Sequence, residues 1–282
     1  MGIVAYKIKL PGTFTDAESL AVRRDDPILP ASGALMLVDM STLPSSGVPA
    51  TYTNIAAKQA ATLLGEPVED MHMAGSYQGT PNPSIFAMER SGKGGLHGIA
   101  SAIMTPFTTT LGFAVDLPAA MLAYLFANIG DTIYTSLWST TTRAGSNAAS
   151  QFEIGHNSTN YLAYYNRSGV SPVSSDRSGV PGQAIATVNT PYVRTMGVSV
   201  AQGTPVEATS VARLNFGSTG KVEVDPWNPG CWVFYRLYME NLTESGRSVA
   251  AVRAIDFRLF SEAFATGGRF HGDTWTNPTT IP

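Results

Sequence analysis

The stretch WVFYRLYMENLTESGRSVAAVRAIDFRLFSEAFATGGRFHGD, residues 232–273, is the most hydrophobic part of the chain and decides the predicted fold. From Trp232 to Met239 it is a run of aromatic and aliphatic residues bounded by turn formers, which is typical of a strand covered on both faces. Beyond Gly246, apolar residues recur at spacings of mostly three and four until Gly267-Gly268, which predicts a helix lying on a sheet. We therefore expect a buried strand, a turn and a packed helix here.

The composition indicates a folded, β-rich protein. The chain has 282 residues, of which 44% are hydrophobic, and this fraction argues against disorder over most of the length. Charged residues make up only 14%, whereas about 25% is usual for globular domains, and there are 27 glycines and 18 prolines. Sparse charge with many turn formers is typical of β-rich proteins that belong to large assemblies or lie outside cells.

Charge and cysteine content exclude several classes of function. A net charge of -3 provides no basic surface for nucleic acid and no polybasic patch for a membrane. The single cysteine, Cys231, excludes an intrachain disulfide and a cysteine-rich zinc site, and it is expected to be a buried small residue. The N-terminus lacks the apolar core of a signal peptide, and no apolar run approaches a membrane span. We expect a soluble product that is made, or assembled into a particle, in the cytoplasm.

Three regions are predicted along the chain: residues 1–50, residues 51–93 with a helix and a linker, and residues 94–282 with a β-sandwich. The first region contains short apolar pieces, among them a strand at Ala34–Met40, separated by proline and glycine. Such pieces need a surface to lie on, so an extended arm that attaches the protein to a neighbour is predicted, with an ordinary first strand pair as the alternative. The candidate arm residues are Tyr6, Leu10, Phe14, Arg23 and Arg24.

The remaining pattern predicts an antiparallel sandwich with a few short helices. Helices are expected at residues 55–64, capped by Asn54, and at residues 119–128, after Pro118. Strand-length pieces recur with turn signals between them, which favours antiparallel strands over alternating βαβ units. These pieces are residues 85–88, 98–104, 111–115, 132–142, 151–155, 160–166, 184–188, 193–200 and 210–216.

Three segments carry a resemblance to a known class of protein. SLWSTTTR (136–143), followed by YRLYMENLTESGRS (235–248), resembles a jelly-roll domain of the laminin-G or concanavalin-like type. The segment FSEAFATGGRFHGDTWTNP (260–278) resembles the end of bacteriophage virion proteins that contain such a domain. The resemblance covers roughly residues 94–278. It implies a mainly β antiparallel jelly-roll and a structural role in a tail, baseplate or other particle appendage.

Exposed aromatic residues are candidates for stacking on sugar rings, as in jelly-roll lectins. The candidates are Trp138, Trp227 and Trp275, beside a dense cluster of Tyr161, Tyr164 and Tyr165. Strand aromatics are more often part of a core or a subunit interface, so both interpretations stay open.

Candidate catalytic and metal-binding residues are few. Glu223 and Asp225 alternate as paired glycosidase carboxylates do, but a third acidic residue is lacking and an acidic turn is the simpler interpretation. The spacing of the four histidines does not suit a zinc site; they are His72, His97, His156 and His271. Asp131 and Asp273 lie beside glycines but in no loop rich in acidic residues, as a calcium site would need. The glycine-rich SGKGG (91–95) is predicted to be a flexible loop rather than a phosphate-binding loop. No catalytic residue, metal or other cofactor is expected.

The sequence therefore predicts a non-enzymatic structural component of a bacteriophage particle, located in the virion and associated with the tail or baseplate. Its expected partners are other virion proteins and further copies of itself, with a trimer favoured. The alternatives are a lectin-like receptor-binding protein that recognises a host surface glycan, a capsid decoration protein and, least favoured, a glycoside hydrolase. Neither nucleic acid nor membrane is an expected partner.

Overall fold

The strands and helices follow from a computed structural model. It describes residues 26–44, 46–102, 112–145, 150–157, 160–166, 187–198, 201, 203–217 and 230–281. The strands are β1 Ala34–Asp39, β2 Thr51–Tyr52, β3 Met73–Gln78, β4 Phe86–Arg90, β5 Leu96–Ala100, β6 Gly112–Asp116, β7 Ile133–Arg143, β8 Ser150–Asn157, β9 Asn160–Asn166, β10 Pro191–Val198, β11 Val211–Gly217 and β12 Cys231–Asn241. The α-helices are α1 Ala57–Leu64, α2 Ala119–Ala127, α3 Leu242–Ser245 and α4 Val249–Phe264.

The strands form two antiparallel sheets of six strands each. In sheet 1 the order is β10-β7-β12-β5-β4, and β1 also pairs with β12. In sheet 2 the order is β2-β3-β6-β11-β8-β9. The central strand β12 pairs with β7 along one edge, and its other edge is shared by β5 at Trp232–Phe234 and β1 at Arg236–Glu240. The prediction of a mainly β, antiparallel sandwich with a few short helices is confirmed.

The main core lies between the two sheets. Its centre is a stack of Phe216 from β11 on Trp232 from β12, with ring centroids 4.3 Å apart and ring planes within 4° of parallel. Gly98 of β5 faces this stack, and a Cβ atom at that position would lie 2.6 Å from the Phe216 ring. The close approach therefore requires glycine, and it fixes how β5 sits over β11.

Helix α4 and the following C-terminal segment cover the outer face of sheet 1. Ser248 caps the helix, because its side chain accepts a hydrogen bond from the Ala251 amide. Val252 and Ala263 are buried against the sheet, and an aromatic cluster fills the layer between them. The predicted strand, turn and packed helix at residues 232–264 are therefore confirmed, and the helix ends at Phe264, just before Gly267-Gly268.

A β-bulge interrupts the register of β12 between Phe234 and Arg236. The extra residue places two consecutive side chains, Tyr235 and Arg236, on the outer face, where Tyr235 meets Phe270 and Arg236 meets Trp138. The strand then resumes its alternation, with Leu237 in the main core. Both candidate sites described below begin at this bulge.

Some local predictions are wrong. Strand β3 lies in the region 51–93, which was predicted as a helix and a linker, because Gly75 and Ser76 are poor strand formers. Asn54 does not cap α1, which begins at Ala57; its buried side chain accepts hydrogen bonds from the Leu37 and Ala56 amides. SGKGG is not a flexible loop: it is a hairpin turn between β4 and β5, closed by the Ser91 and Gly95 backbones.

Most other elements lie where they were predicted. Strand β1, the helices α1 and α2, and the hairpin β8–β9 are among them. The predicted strand 184–188 lies mostly outside the described residues. Among the residues that are described, none belongs to a helix long and apolar enough to cross a membrane.

Candidate functional site: the N-terminal anchor and an aromatic cleft

The first described residue, Asp26, is held by a buried arginine of the central strand. Nη1 and Nη2 of Arg236 donate hydrogen bonds to the two carboxylate oxygens of Asp26 at 2.8 and 2.9 Å. Nη1 also donates to Asp39 at 2.9 Å, and Arg269 donates to the same Asp39 oxygen at 2.5 Å. Arg236 is only 1% exposed, so both aspartates compensate a cation that has lost its water.

Electrostatics favour the charged form of this pair. Burial raises the pKa of Asp26, but the hydrogen bonds and charge of Arg236 outweigh burial and leave the pKa below its ordinary value. Burial lowers the pKa of Arg236, and the two aspartates more than offset that effect, so its pKa is raised. The guanidinium also lies over the ring of Trp138, with its Cζ atom 4.8 Å from the ring centroid.

A second contact fixes the chain two residues later. Ile28 is fully buried, and its carbonyl oxygen accepts a hydrogen bond from Arg247 at 2.7 Å and lies 3.3 Å from the Tyr238 hydroxyl oxygen. Arg247 and Tyr238 are in turn held by the buried carboxylate of Glu240. Asp26 and Ile28 therefore form an N-terminal anchor, the rigid point on the outer face of sheet 1 that residues 1–25 precede.

Part of the predicted N-terminal arm, residues 1–50, is a strand of the protein's own sheet. Residues 34–39 are strand β1, which is fully buried and pairs with β12, so this part is a strand of sheet 1. The sequence allowed this outcome because an apolar strand needs a surface, and here the surface is the chain's own sheet. The candidate arm residues Tyr6, Leu10, Phe14, Arg23 and Arg24 all lie outside the described residues.

An aromatic cleft opens beside the other residue of the bulge. It encloses about 220 Å³ and is lined by Asn189, Pro191, Tyr235, Phe264, Phe270, His271, Gly272, Asp273 and Trp275. Tyr235 and Phe270 form its buried floor, with ring centroids 4.7 Å apart. Trp275 is half-buried at one side, where it meets His97 edge-on at 6.3 Å. The cleft therefore combines an apolar floor with polar groups near its mouth.

Two polar side chains near the mouth can contact a ligand. Nδ1 of His271 lies 3.1 Å from the Phe264 carbonyl, and a carbonyl only accepts, so this nitrogen carries the proton. Nε2 is then the ring nitrogen that is left to contact a ligand. Asn189 presents an exposed amide from a left-handed backbone conformation, φ 65°, which asparagine tolerates better than most residues.

Asp273 has a structural role at the edge of the cleft. One of its oxygens accepts from the Ser91 and Tyr235 hydroxyls at 2.6 and 2.8 Å, and the other accepts from the Lys93 and Thr274 amides at 2.6 and 2.8 Å. Four donors satisfy the carboxylate, so it ties the β4–β5 turn to the C-terminal segment. Burial and this carboxylate raise the pKa of Tyr235, which disfavours the phenolate.

Glu89 binds the same C-terminal segment three residues beyond Asp273, at Thr276. It accepts from the His97 ring at 2.8 Å and from the amide and hydroxyl of Thr276 at 2.8 and 2.7 Å. Burial alone raises the pKa of Glu89, but the hydrogen bonds from His97 and Thr276 lower it from 4.5 to about 2. The ionised carboxylate therefore stabilises the docked segment beneath Trp275.

This shift predicts an acid-dependent loss of stability. Because the pKa is lower in the folded state, the contribution is fully present above pH 4.5 and is lost as the pH falls to about 2. Because this carboxylate is partly exposed and screened by solvent, we expect the wild type to lose about 1–2 kcal/mol more than Glu89→Gln between pH 5 and pH 2, measured by urea unfolding. Glu262→Gln, an exposed partner of Arg258, is the matched control and should follow the wild type. If all three proteins lost the same free energy of unfolding as the pH fell from 5 to 2, the role assigned to Glu89 would be contradicted.

The structure separates the three candidate stacking tryptophans. Trp138 is wrong as a glycan-stacking residue: it is fully buried beneath α4, and its indole nitrogen donates to Asp256 at 2.9 Å. Trp227 lies outside the described residues. Of the two candidate tryptophans that are described, Trp275 lines the cleft. Tyr161 and Tyr165 are buried in the fold.

The candidate metal ligands do not converge. His72, His156 and His271 each contact a backbone carbonyl, and His97 is buried between Glu89 and Thr142. Within the described ranges, no three histidine, cysteine or acidic side chains are grouped closely enough to hold a metal ion. Cys231 is buried, as expected. Glu223 and Asp225, the candidate carboxylate pair, lie outside the described residues.

Comparison with known proteins adds only distant structural neighbours. No family model and no curated protein matches the sequence. A Trypanosoma rangeli sialidase, solved in complex with sialic acid, has a TM-score of 0.34 and 9% identity over 74% of this chain and 31% of its own. A structure of botulinum neurotoxin type C, whose cell entry depends on two ganglioside molecules, has a TM-score of 0.40 and 9% identity over 82% of this chain and 52% of its own. The chain thus spans about a third of the first and half of the second, and at these scores the likeness carries no argument about activity or ligand.

Proposed function

We propose that this protein is a non-enzymatic structural component of a bacteriophage particle, associated with the tail or baseplate, and that it self-associates through residues 1–25. The observation that carries the proposal is the N-terminal anchor. Asp26 is fixed by hydrogen bonds from Arg236 of the central strand, and Ile28 by a hydrogen bond from Arg247, which follows that strand. Residues 1–25 lead directly into this rigid point, so a partner that binds them is attached to the sandwich there.

The segment before the anchor suits binding to another subunit. Residues 3–10, IVAYKIKL, are strand-like in composition, with Tyr6, Ile8 and Leu10 separated by lysines. Such a segment can add a strand to the open edge of a sheet in a neighbouring copy. The resemblance of residues 94–278 to phage virion proteins points to the same kind of assembly.

The contacts around the cleft support a non-catalytic role. Asp273 is saturated by four donors, and a raised pKa keeps the Tyr235 hydroxyl protonated. Neither group is poised to act as a nucleophile or as a general base. The lectin-like alternative draws on the cleft itself, and a capsid decoration protein would use the same segment at a different site in the particle.

Truncation after residue 25 tests the proposal without damaging the sheet, because β1 begins at Ala34. We expect the full chain to be a closed oligomer, with a trimer favoured, and the truncated chain to be a monomer with a Tm within a few degrees of the wild type. Light scattering coupled to size exclusion measures both masses. An oligomer that survives truncation would contradict the proposed role of the segment.

Point variants separate the apolar from the basic side chains of the segment. Tyr6, Leu10 and Phe14 changed together to serine should reproduce the truncation. Lys7 and Lys9 changed to serine form the matched control and should leave the mass unchanged. A full-length chain that is already monomeric would rule out self-association.

A further inference from the structure

We propose that the aromatic cleft binds a single neutral pyranose ring of a glycan, with Trp275 as the stacking platform and Asn189 and His271 as the hydrogen-bonding groups. This site goes beyond the proposed assembly role, because none of its residues belongs to the segment or to its anchor. If the cleft bound no sugar, the proposed assembly role would still stand, because the site is tested by sugar binding and the assembly role by the mass of the oligomer.

The size and walls of the cleft fit one sugar ring. At about 220 Å³ it is smaller than the roughly 300–1,000 Å³ of sites that enclose drug-sized ligands. Its floor consists of the packed rings of Tyr235, Phe264 and Phe270, with centroids 4.7–5.5 Å apart, of which Phe264 is partly exposed. A pyranose can turn an apolar face of C–H groups toward the partly exposed Phe264 and a rim of hydroxyls toward solvent. The half-buried Trp275 can cover that apolar face from the side.

The polar groups match hydroxyls, which both donate and accept. Nε2 of His271 accepts from a ligand hydroxyl, because Nδ1 already donates to Phe264. Asn189, which also lines the cleft, supplies a donor pair and an acceptor from its amide. Gly272, at φ 64°, makes the turn between His271 and Asp273 that a residue with a side chain would resist.

The charge of the lining selects against acidic sugars. Among the described lining residues there is no lysine or arginine, and Asp273 contributes a carboxylate. A sugar carboxylate would enter without a cation to pair with it, at a desolvation cost that a hydroxyl avoids. The cleft should therefore prefer neutral sugars over sialic acid.

Saturation-transfer NMR and calorimetry on the full chain test the site. The probes are the methyl glycosides of glucose, galactose and mannose, N-acetylglucosamine, and N-acetylneuraminic acid. We expect at least one neutral sugar to bind with a Kd on the order of millimolar, as a shallow single-ring site allows. N-acetylneuraminic acid should bind at least tenfold more weakly. Lack of binding by every neutral probe, or a preference for the acid, would overturn the proposal.

Variants locate the binding within the cleft. Trp275→Ala should weaken the best probe at least tenfold, and Trp275→Phe should restore it to within about threefold because an aromatic face returns. Asn189→Gly removes the amide while keeping the left-handed backbone, and it should weaken binding about three- to tenfold. Tyr77→Ala removes a 41% exposed aromatic of sheet 2 and is the control that should change nothing. Unchanged affinity in a folded Trp275→Ala, checked by its circular dichroism, would also overturn the site.

Discussion

Replacing Arg236 with methionine is expected to lower the free energy of unfolding by about 3–5 kcal/mol, because it leaves two buried carboxylates without their shared cation. Asp39 is 2% exposed, and Asp26 is only 16% exposed. Methionine fills much of the same space, so the loss reports charge rather than volume. Denaturant unfolding at pH 7 measures it.

Two companion variants show whether the loss comes from the buried ions. Arg258→Ala removes an exposed arginine whose partner, Glu262, lies one helical turn away, and it should cost less than about 1 kcal/mol. Adding Asp26→Asn to Arg236→Met should recover part of the loss, since one uncompensated charge disappears. If Arg236→Met cost no more than Arg258→Ala, the anchor would not be a buried ionic contact.

Replacing Trp232 with alanine is expected to cost about 3–5 kcal/mol as well, through a different cause. The change removes the ring that stacks on Phe216 and joins the two sheets. It also leaves the Asn215 carbonyl without the indole N–H that donates to it at 3.1 Å. Thermal and urea unfolding should both register the loss.

A substitution at Gly98, which faces the stack of Phe216 on Trp232, tests the same contact a second time. Gly98→Ala adds a methyl group 2.6 Å from the Phe216 ring and should destabilise by about 1–3 kcal/mol. Trp275→Ala is the matched control for a lost indole, since this ring is half-buried and lies outside the main core. A Trp232→Ala variant no less stable than Trp275→Ala would show that the stack is not central.

The sequence predicts β12 and α4 well because their signals are local. An unbroken apolar run ends at turn formers, and the next apolar residues return at helical spacing. Strand β3 carries no such signal: its side chains from Ala74 to Gln78 are mostly exposed, and its ladder is supplied by β6. A strand defined by its partner cannot be seen in its own residues.

The candidate sites were harder to predict because they are assembled from distant parts of the chain. Asn189, Tyr235 and Trp275 meet only after β12 and the C-terminal segment have docked. Trp138 and Trp275 are both tryptophans followed by a hydroxyl residue, yet a helix that begins 111 residues beyond Trp138, at Val249, buries the first, whereas the second stays half-exposed. One signal was present for the anchor: Arg236 is the lone cation in strand β12, and a buried cation requires partners.

The bulge in β12 has a mechanical consequence. A pull on the residues that precede Asp26 would reach Arg236 first, through two charge-assisted hydrogen bonds, before it reached the β1 ladder. Arg236 lies in β12, which pairs with β7 along one edge and with β1 and β5 along the other. Such a pull would thus be carried by the central strand of sheet 1, and it would arrive one peptide bond away from Tyr235, at the floor of the cleft.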